Sequence, residues 1–261
     1  MAKFFILTAV LALASSVAAQ CGSGTPDARV TGSGSSFTAT KGSSNVYTGS
    51  DYRAAIQAAL DSISSGQRVS VIASGSIGAN TITIASGKIF EGCGTINVAT
   101  RSGRGAIEST NTQGVQIPYL TMTGNPHAVE TWNIDGLNID QVIARNVGES
   151  GLLLQKTTNA RVGLVDGNNV GAGTGYGTLR FANNNGQNPN GNYNTNVYID
   201  KVVSRGGGFC VSQSGAAVIT SFPNNRDIWI TLKVDGTTVR ESPCGENTNW
   251  TLTGNGARNI C

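Results

Sequence analysis

Ile139-Asp140-Gln141-Val142-Ile143-Ala144-Arg145 returns in register at Ile199-Asp200-Lys201-Val202-Val203-Ser204-Arg205. A weaker copy lies between them, where Val162, Val165 and Val170 answer Ile139, Val142 and Val147 at a shift of 23 residues (139 to 162). Each copy leads to a second short apolar run: Leu152-Leu153-Leu154-Gln155, then Leu179-Arg180-Phe181, then Phe209-Cys210-Val211-Ser212. A period in the twenties made of strand-forming residues signals a solenoid, whose coils bury their apolar sides only by stacking on one another. The Leu-x-x-Leu-x-Leu signature of leucine-rich repeats is absent. A β-sandwich would not need one repeating frame.

Upstream the pattern changes. Asp51 is placed to cap a helix, with Ala54, Ala55, Ile56, Ala58, Ala59, Leu60 and Ile63 on one apolar stripe and Gly66 as its end. Helical period is confined to Asp51–Ser65. From Val69 and Val71 through Ile77, Ile82, Ile84 and Ile89, apolar residues come in short runs separated by Gly, Ser and Asn. The expected fold is all-β, a right-handed parallel β-helix with an N-terminal capping helix. Charged residues make up 13% of the chain, glycines number 35 and the formal net charge is +3. Clustered Lys and Arg, which a nucleic-acid partner would require, are missing.

Lys3, the apolar run Phe4–Ala14 and the small residues Val17-Ala18-Ala19 read as an export signal over 1–20, with 21–261 as one domain. The apolar run is about half the ~20 residues a spanning helix needs, so no membrane anchor is expected. A secreted, extracellular monomer follows. In that compartment the five cysteines are expected to form bridges, Cys21 with Cys93 and Cys244 with Cys261, leaving Cys210 as a buried thiol. Asn249-Trp250-Thr251 is a glycosylation sequon.

Strands ~4.8 Å apart turn equivalent positions into columns. Asp140 and Asp200 share one, with Gly163 between them. Two rungs, roughly 10 Å, are too far for both to grip one Ca²⁺ at ~2.4 Å. Arg145 and Arg205 share another, with Asn168 between. Such a pair suits polyuronate carboxylates or serves as plain surface charge. Alternation places Leu179 and Phe181 inside and Arg180 outside, between Gln155 and Ser212 on the neighbouring rungs and with Lys156 close by. Glu149 precedes the same kind of strand, and Asp166 lies on the other strand of its rung. His127, the lone histidine, follows Pro126 in an expected turn, and there is no metal cluster for it to join. Trp132 and Tyr176 either stack on sugar rings or pack. The Asn/Gly-rich segment Asn183–Asn196 interrupts the repeat and offers a groove wall.

The helix Tyr52–Ile63, the run Phe90-Glu91-Gly92-Cys93-Gly94-Thr95-Ile96 and the stretch from Val202 to Ser212 resemble pectate-lyase-like parallel β-helix proteins secreted by microbes. The resemblance covers about residues 45–235. It implies an acidic cell-wall polysaccharide as partner and β-elimination on a uronate polymer as reaction. It also makes Arg180 the proton-abstracting residue, with Glu149 as the second catalytic candidate. Gln155, Lys156, Arg145, Arg205, Ser212, Trp132 and Tyr176 would bind substrate. The Trp and Asp-His strand pairing of pectate lyases is missing, as is the aspartate cluster of polygalacturonase-type hydrolases. A non-catalytic carbohydrate-binding protein and a glycoside hydrolase therefore stay open as alternatives, and the sequence names no cofactor.

Overall fold

A computed structural model describes residues 20–100, 104–171, 176–182, 194–205, 216–220, 226–241 and 246–259. The chain opens with three antiparallel strands, β1 (Ala28–Ser33), β2 (Ser36–Lys41) and β3 (Ser44–Gly49). Helix α1 (Tyr52–Ser62) follows. Asp51 caps it by accepting the Ala54 N–H at 2.9 Å, which satisfies one of the amides a first turn leaves open. Ala55, Ile56, Ala59 and Leu60 bury the expected stripe. Tyr52, not foreseen as core, is buried with them, and its hydroxyl donates to the Ala73 carbonyl at 2.7 Å. The helix stops at Ser62, short of Ser65, because Ile63 adopts extended backbone and Gly66 takes a φ of 80°.

The remaining strands are β4 (Arg68–Val71), β5 (Gly75–Ser76), β6 (Ile82–Thr83), β7 (Ile89–Val98), β8 (Gly105–Gln113), β9 (Gln116–Gly124), β10 (His127–Val147), β11 (Leu152–Val170), β12 (Gly177–Ala182), β13 (Thr195–Arg205), β14 (Ala216–Thr220), β15 (Arg226–Glu241) and β16 (Glu246–Asn259). Strand β1 joins β4 in parallel, and every pairing among the later strands is parallel. The result is a parallel β-solenoid of about six turns. No described helix is long and apolar enough to cross a membrane.

The frame read from the sequence is the physical register. Ile139 pairs with Val162 and Val162 with Ile199, while Arg145, Asn168 and Arg205 share a column. Ile117, Ile139, Val162, Ile199 and Ile230 form one buried stack through the coil; Ile107, Val129, Leu152 and Leu179 form a second. Each such side chain contributes about 1.5–3 kcal/mol by leaving water, and no rung can collect that without its neighbours.

The corners are set by backbone handedness. Gly114, Gly136, Asn159, Asn196, Asp227 and Asn247 occupy one corner on successive rungs, all at φ between 51° and 76°. That region costs an ordinary L-residue energy, and Gly, Asn and Asp tolerate it best. The carboxamides also tie rungs together: Asn196 Nδ2 donates to Asn159 Oδ1 at 2.6 Å, and Asn247 Nδ2 to Asp227 Oδ1 at 2.7 Å. A second corner carries Asn111 and Asn133, and then Lys156 at a φ of 46°.

Cys21 and Cys93 are bonded, as expected, and close a separation of 72 residues. The strand beside β12 is Ala216–Thr220, not Phe209–Ser212. The insertion expected to run to Asn196 ends sooner, because Thr195 and Asn196 already belong to β13. Ser212, Cys210, the Cys244–Cys261 pair and the export segment lie outside the described residues.

Candidate functional site

One outward column crosses four rungs on the face built by β8, β10, β11 and β12. Its members in order are Glu108, Glu130, Leu153 and Arg180, and the backbone register continues it to position 219 on β14. Two carboxylates on adjacent rungs have Cα atoms ~5 Å apart, which is close for like charges. Arg104 answers one of them. Its Nε lies 2.7 Å from Glu108 Oε1, its second nitrogen contacts Oε2, and the Gly105 N–H donates to Oε1 at 2.8 Å. Both oxygens of Glu108 are therefore engaged.

Glu130 is placed differently. Gln155 Nε2 donates to its Oε1 at 2.9 Å, while its Oε2 is buried with no hydrogen-bond partner among the described residues. Burial first, and the negative charge of Glu108 second, push the Glu130 carboxyl up to about 6. Gln155, the Gly105 backbone N–H and the Arg104 charge pull the other way without prevailing. A carboxyl that changes protonation near neutrality, with one oxygen unengaged, is equipped to move a proton.

Arg180 stands two rungs further along. Its guanidinium lies over the Tyr176 ring, 5.4 Å from the centroid, and its Nε is buried without a hydrogen-bond partner among the described residues. Burial lowers its affinity for the proton, opposed by the fields of Tyr176, Glu149 and Glu130. The sequence placed Arg180 between Gln155 and Ser212. The register instead puts it between Leu153 and Ile219, because Gln155 aligns with Ala182.

His127 and Glu149 lie behind Tyr176. The imidazole meets the Tyr176 ring edge-on at 5.5 Å. The Ser150 N–H donates to His127 Nδ1 at 3.0 Å, so the ring proton belongs on Nε2, 3.1 Å from Glu149 Oε2. His127 is 4% exposed. Burial, helped by the Arg180 charge, holds its pKa down at about 3. Glu149 is also buried and lies beside this ring; burial first, and the Glu149 charge second, raise the proton affinity of Tyr176. The histidine is a neutral strut, which has a consequence for stability. The unfolded chain binds a proton on His127 below about 6.5 and the native chain does not, so acid pulls the equilibrium toward unfolding between about 6.5 and 3. By pH 5 the loss from this group should reach about 2 kcal/mol. Glu130 works in the opposite sense between about 6 and 4.5, because the native state holds that proton more tightly. Urea titrations at pH 7 and 5 should show the net loss shrink or reverse in His127→Gln. An identical loss in both proteins would exclude His127 as its source.

Trp132 projects from the same face two residues after Glu130, and the Lys156 ammonium lies 5.9 Å from its ring centroid. Lys156 occupies the left-handed corner where the two preceding rungs use asparagine. Gln155 was expected on the outer face. It does point outward but is only 2% exposed, because it is drawn onto Glu130. It orients the acid rather than meeting solvent.

Arg145 and Arg205 share their column as expected, yet they are not free cations. Asp166, on the rung between them, pairs with both: Arg145 nitrogens lie 3.1 and 3.2 Å from its two oxygens, and Arg205 contacts Oδ1. This group sits on a different strand of the coil from Arg180. Asp200 pairs with Arg161 at 2.8 Å, and Asp140 accepts from Asn138 at 3.3 Å.

The sequence reading missed Glu108 and Glu130, although the repeat extends one rung further back to reach them. Ala106-Ile107-Glu108-Ser109-Thr110 matches Ala128-Val129-Glu130-Thr131-Trp132 position for position. No family model, curated protein or solved structure matches this chain.

Proposed function

We propose that the chain is a polysaccharide lyase that cleaves a uronate-containing polymer by β-elimination at the Glu130–Arg180 face. The observation that carries this reading is Glu130, a half-buried carboxyl with a pKa of about 6, on the same column as Arg180; among the described residues neither the Glu130 Oε2 nor the Arg180 Nε has a hydrogen-bond partner. Elimination requires a group to neutralise the uronate carboxylate, a base for the adjacent carbon-bound proton, and a donor for the leaving oxygen. Arg180 suits the first role, since a guanidinium stays charged and fits a carboxylate. Glu130 suits the second. Lys156, on the Trp132 side, supplies an ammonium for the third, and Trp132 offers an aromatic face to a sugar ring. Arg180 thereby becomes the clamp rather than the base that the family resemblance implied.

Hydrolysis is the second reading, favoured by the adjacency of Glu108 and Glu130. It needs two working carboxylates. Glu108, with both oxygens engaged by Arg104 and Gly105, is poorly placed to be one of them.

Incubation with pectate, alginate and glucuronan, following both the absorbance of unsaturated ends and total reducing ends, tests the proposal. Unsaturated ends should appear, and kcat/KM should rise with pH through about 6 as Glu130 ionises. Reducing ends without unsaturation, with activity falling through the same pH, would establish hydrolysis with Glu130 as acid. Binding without new ends would leave a carbohydrate-binding protein.

A further inference from the structure

On strand β16, Asn249 and Thr251 point outward and are exposed, while Trp250 between them packs against the core. The strand's alternation therefore presents both recognition residues of the sequon on one accessible face. The register sets Asn249 directly beside Trp229 of β15, and Trp229 beside Tyr198 of β13. Those two rings stack in parallel, 4.4 Å between centroids with 3° between planes, and Tyr198 is 40% exposed. Tyr198 covers one face of the Trp229 indole. The other face looks toward the rung that carries Asn249. Among the described residues Asn249 Nδ2 makes only local bonds, to Asn247 O at 3.2 Å and Oδ1 at 3.1 Å, and an amide nitrogen that has lost one hydrogen can keep one of them.

We infer that Asn249 is an N-glycosylation site whose first sugar lies against the Trp229 indole, as a third layer on the Tyr198–Trp229 stack. The co-reactant is a lipid-pyrophosphate-linked oligosaccharide in a secretory compartment. Asn249 Nδ2 forms the bond to the anomeric carbon, the bond from that carbon to the pyrophosphate oxygen breaks, and the lipid pyrophosphate leaves with the electron pair. The amide gives up one proton. Sugar C–H bonds pack well on an indole, and an ordered sugar there would shield the outer face of β16, which among the described strands pairs only with β15.

The full chain should be produced in a yeast that carries out N-glycosylation. Wild type should carry one glycan, seen as a mass shift removed by an amidase that cleaves N-glycans. Asn249→Gln and Thr251→Ala should each lack it. Enzymatic removal of the glycan should lower Tm by a few degrees and shift tryptophan emission. In Trp229→Ala the glycan should still attach, but its removal should leave Tm unchanged. Wild-type chain without the mass shift overturns the site. A glycan at Asn249 whose removal leaves both Tm and emission of the wild type unmoved overturns the packing, whether or not Trp229→Ala folds.

Discussion

Glu130→Gln is expected to lower turnover on the uronate polymer about 10³-fold, with KM little changed. The amide keeps the shape of the side chain and its place beside Gln155, but it can neither take up nor release a proton at that position. The same substitution should make the protein more stable at pH 7. Native Glu130 is ionised there only against the burial and the Glu108 charge that raise its pKa to about 6. Removing the charge relieves roughly 2 kcal/mol of that cost. Opposite movements of activity and stability would mark a catalytic group held at the expense of the fold. Arg180→Ala in parallel should chiefly raise KM, since it removes a grip on the substrate carboxylate that is present before as well as during reaction. Full turnover in Glu130→Gln, measured beside an active parent, would discard the assignment.

The second large effect is structural. Breaking the Cys21–Cys93 bond, by Cys93→Ala or by reductant, should cost about 4 kcal/mol, because the bridge closes a 72-residue span and removes much of the unfolded chain's freedom. That span holds β1 to β6, α1 and the start of β7, which dock on the first coil. Urea unfolding with and without reductant measures the loss directly. A midpoint unmoved by reductant, with thiol titration confirming the bond open, would mean the first coil is held without it.

The repeating frame was legible because core periodicity is written in residue type. Ile139, Val162 and Ile199 must be apolar at fixed spacing or the rungs do not stack. The site was less legible because charge and contact depend on partners outside the frame. Arg145 and Arg205 looked like a free basic column, and only coordinates reveal that Asp166 reaches both. Gln155 was rightly placed on the outer face, but outward orientation does not determine exposure once Glu130 draws the amide in. Ser212 was placed beside Arg180 by continuing the apolar rhythm, whereas the chain reaches that position only at Ile219. Glu108 and Glu130 are equivalent in register, but their significance lies in burial and in the Arg104 and Gln155 contacts, which residue type alone does not specify.

The left-handed corners bear on how such a chain can change over time. Within a strand an added residue reverses the inward and outward side chains that follow unless a local irregularity absorbs it, as happens between Ile199 and Val202 opposite Ile230 and Leu232. At a corner the chain already leaves the ladder, and extra length can enter without disturbing either flank. Strand β12 ends at Ala182, which aligns with Gln155, one residue before the Lys156 corner. Strand β13 ends at Arg205, which aligns with Asn168, one residue before a further left-handed corner at Asn169, whose φ is 57°. New loops can thus be trialled around the Glu130–Arg180 face while the rungs that hold those two side chains keep their register, giving this coil a route to different substrates that leaves its core sequence unchanged.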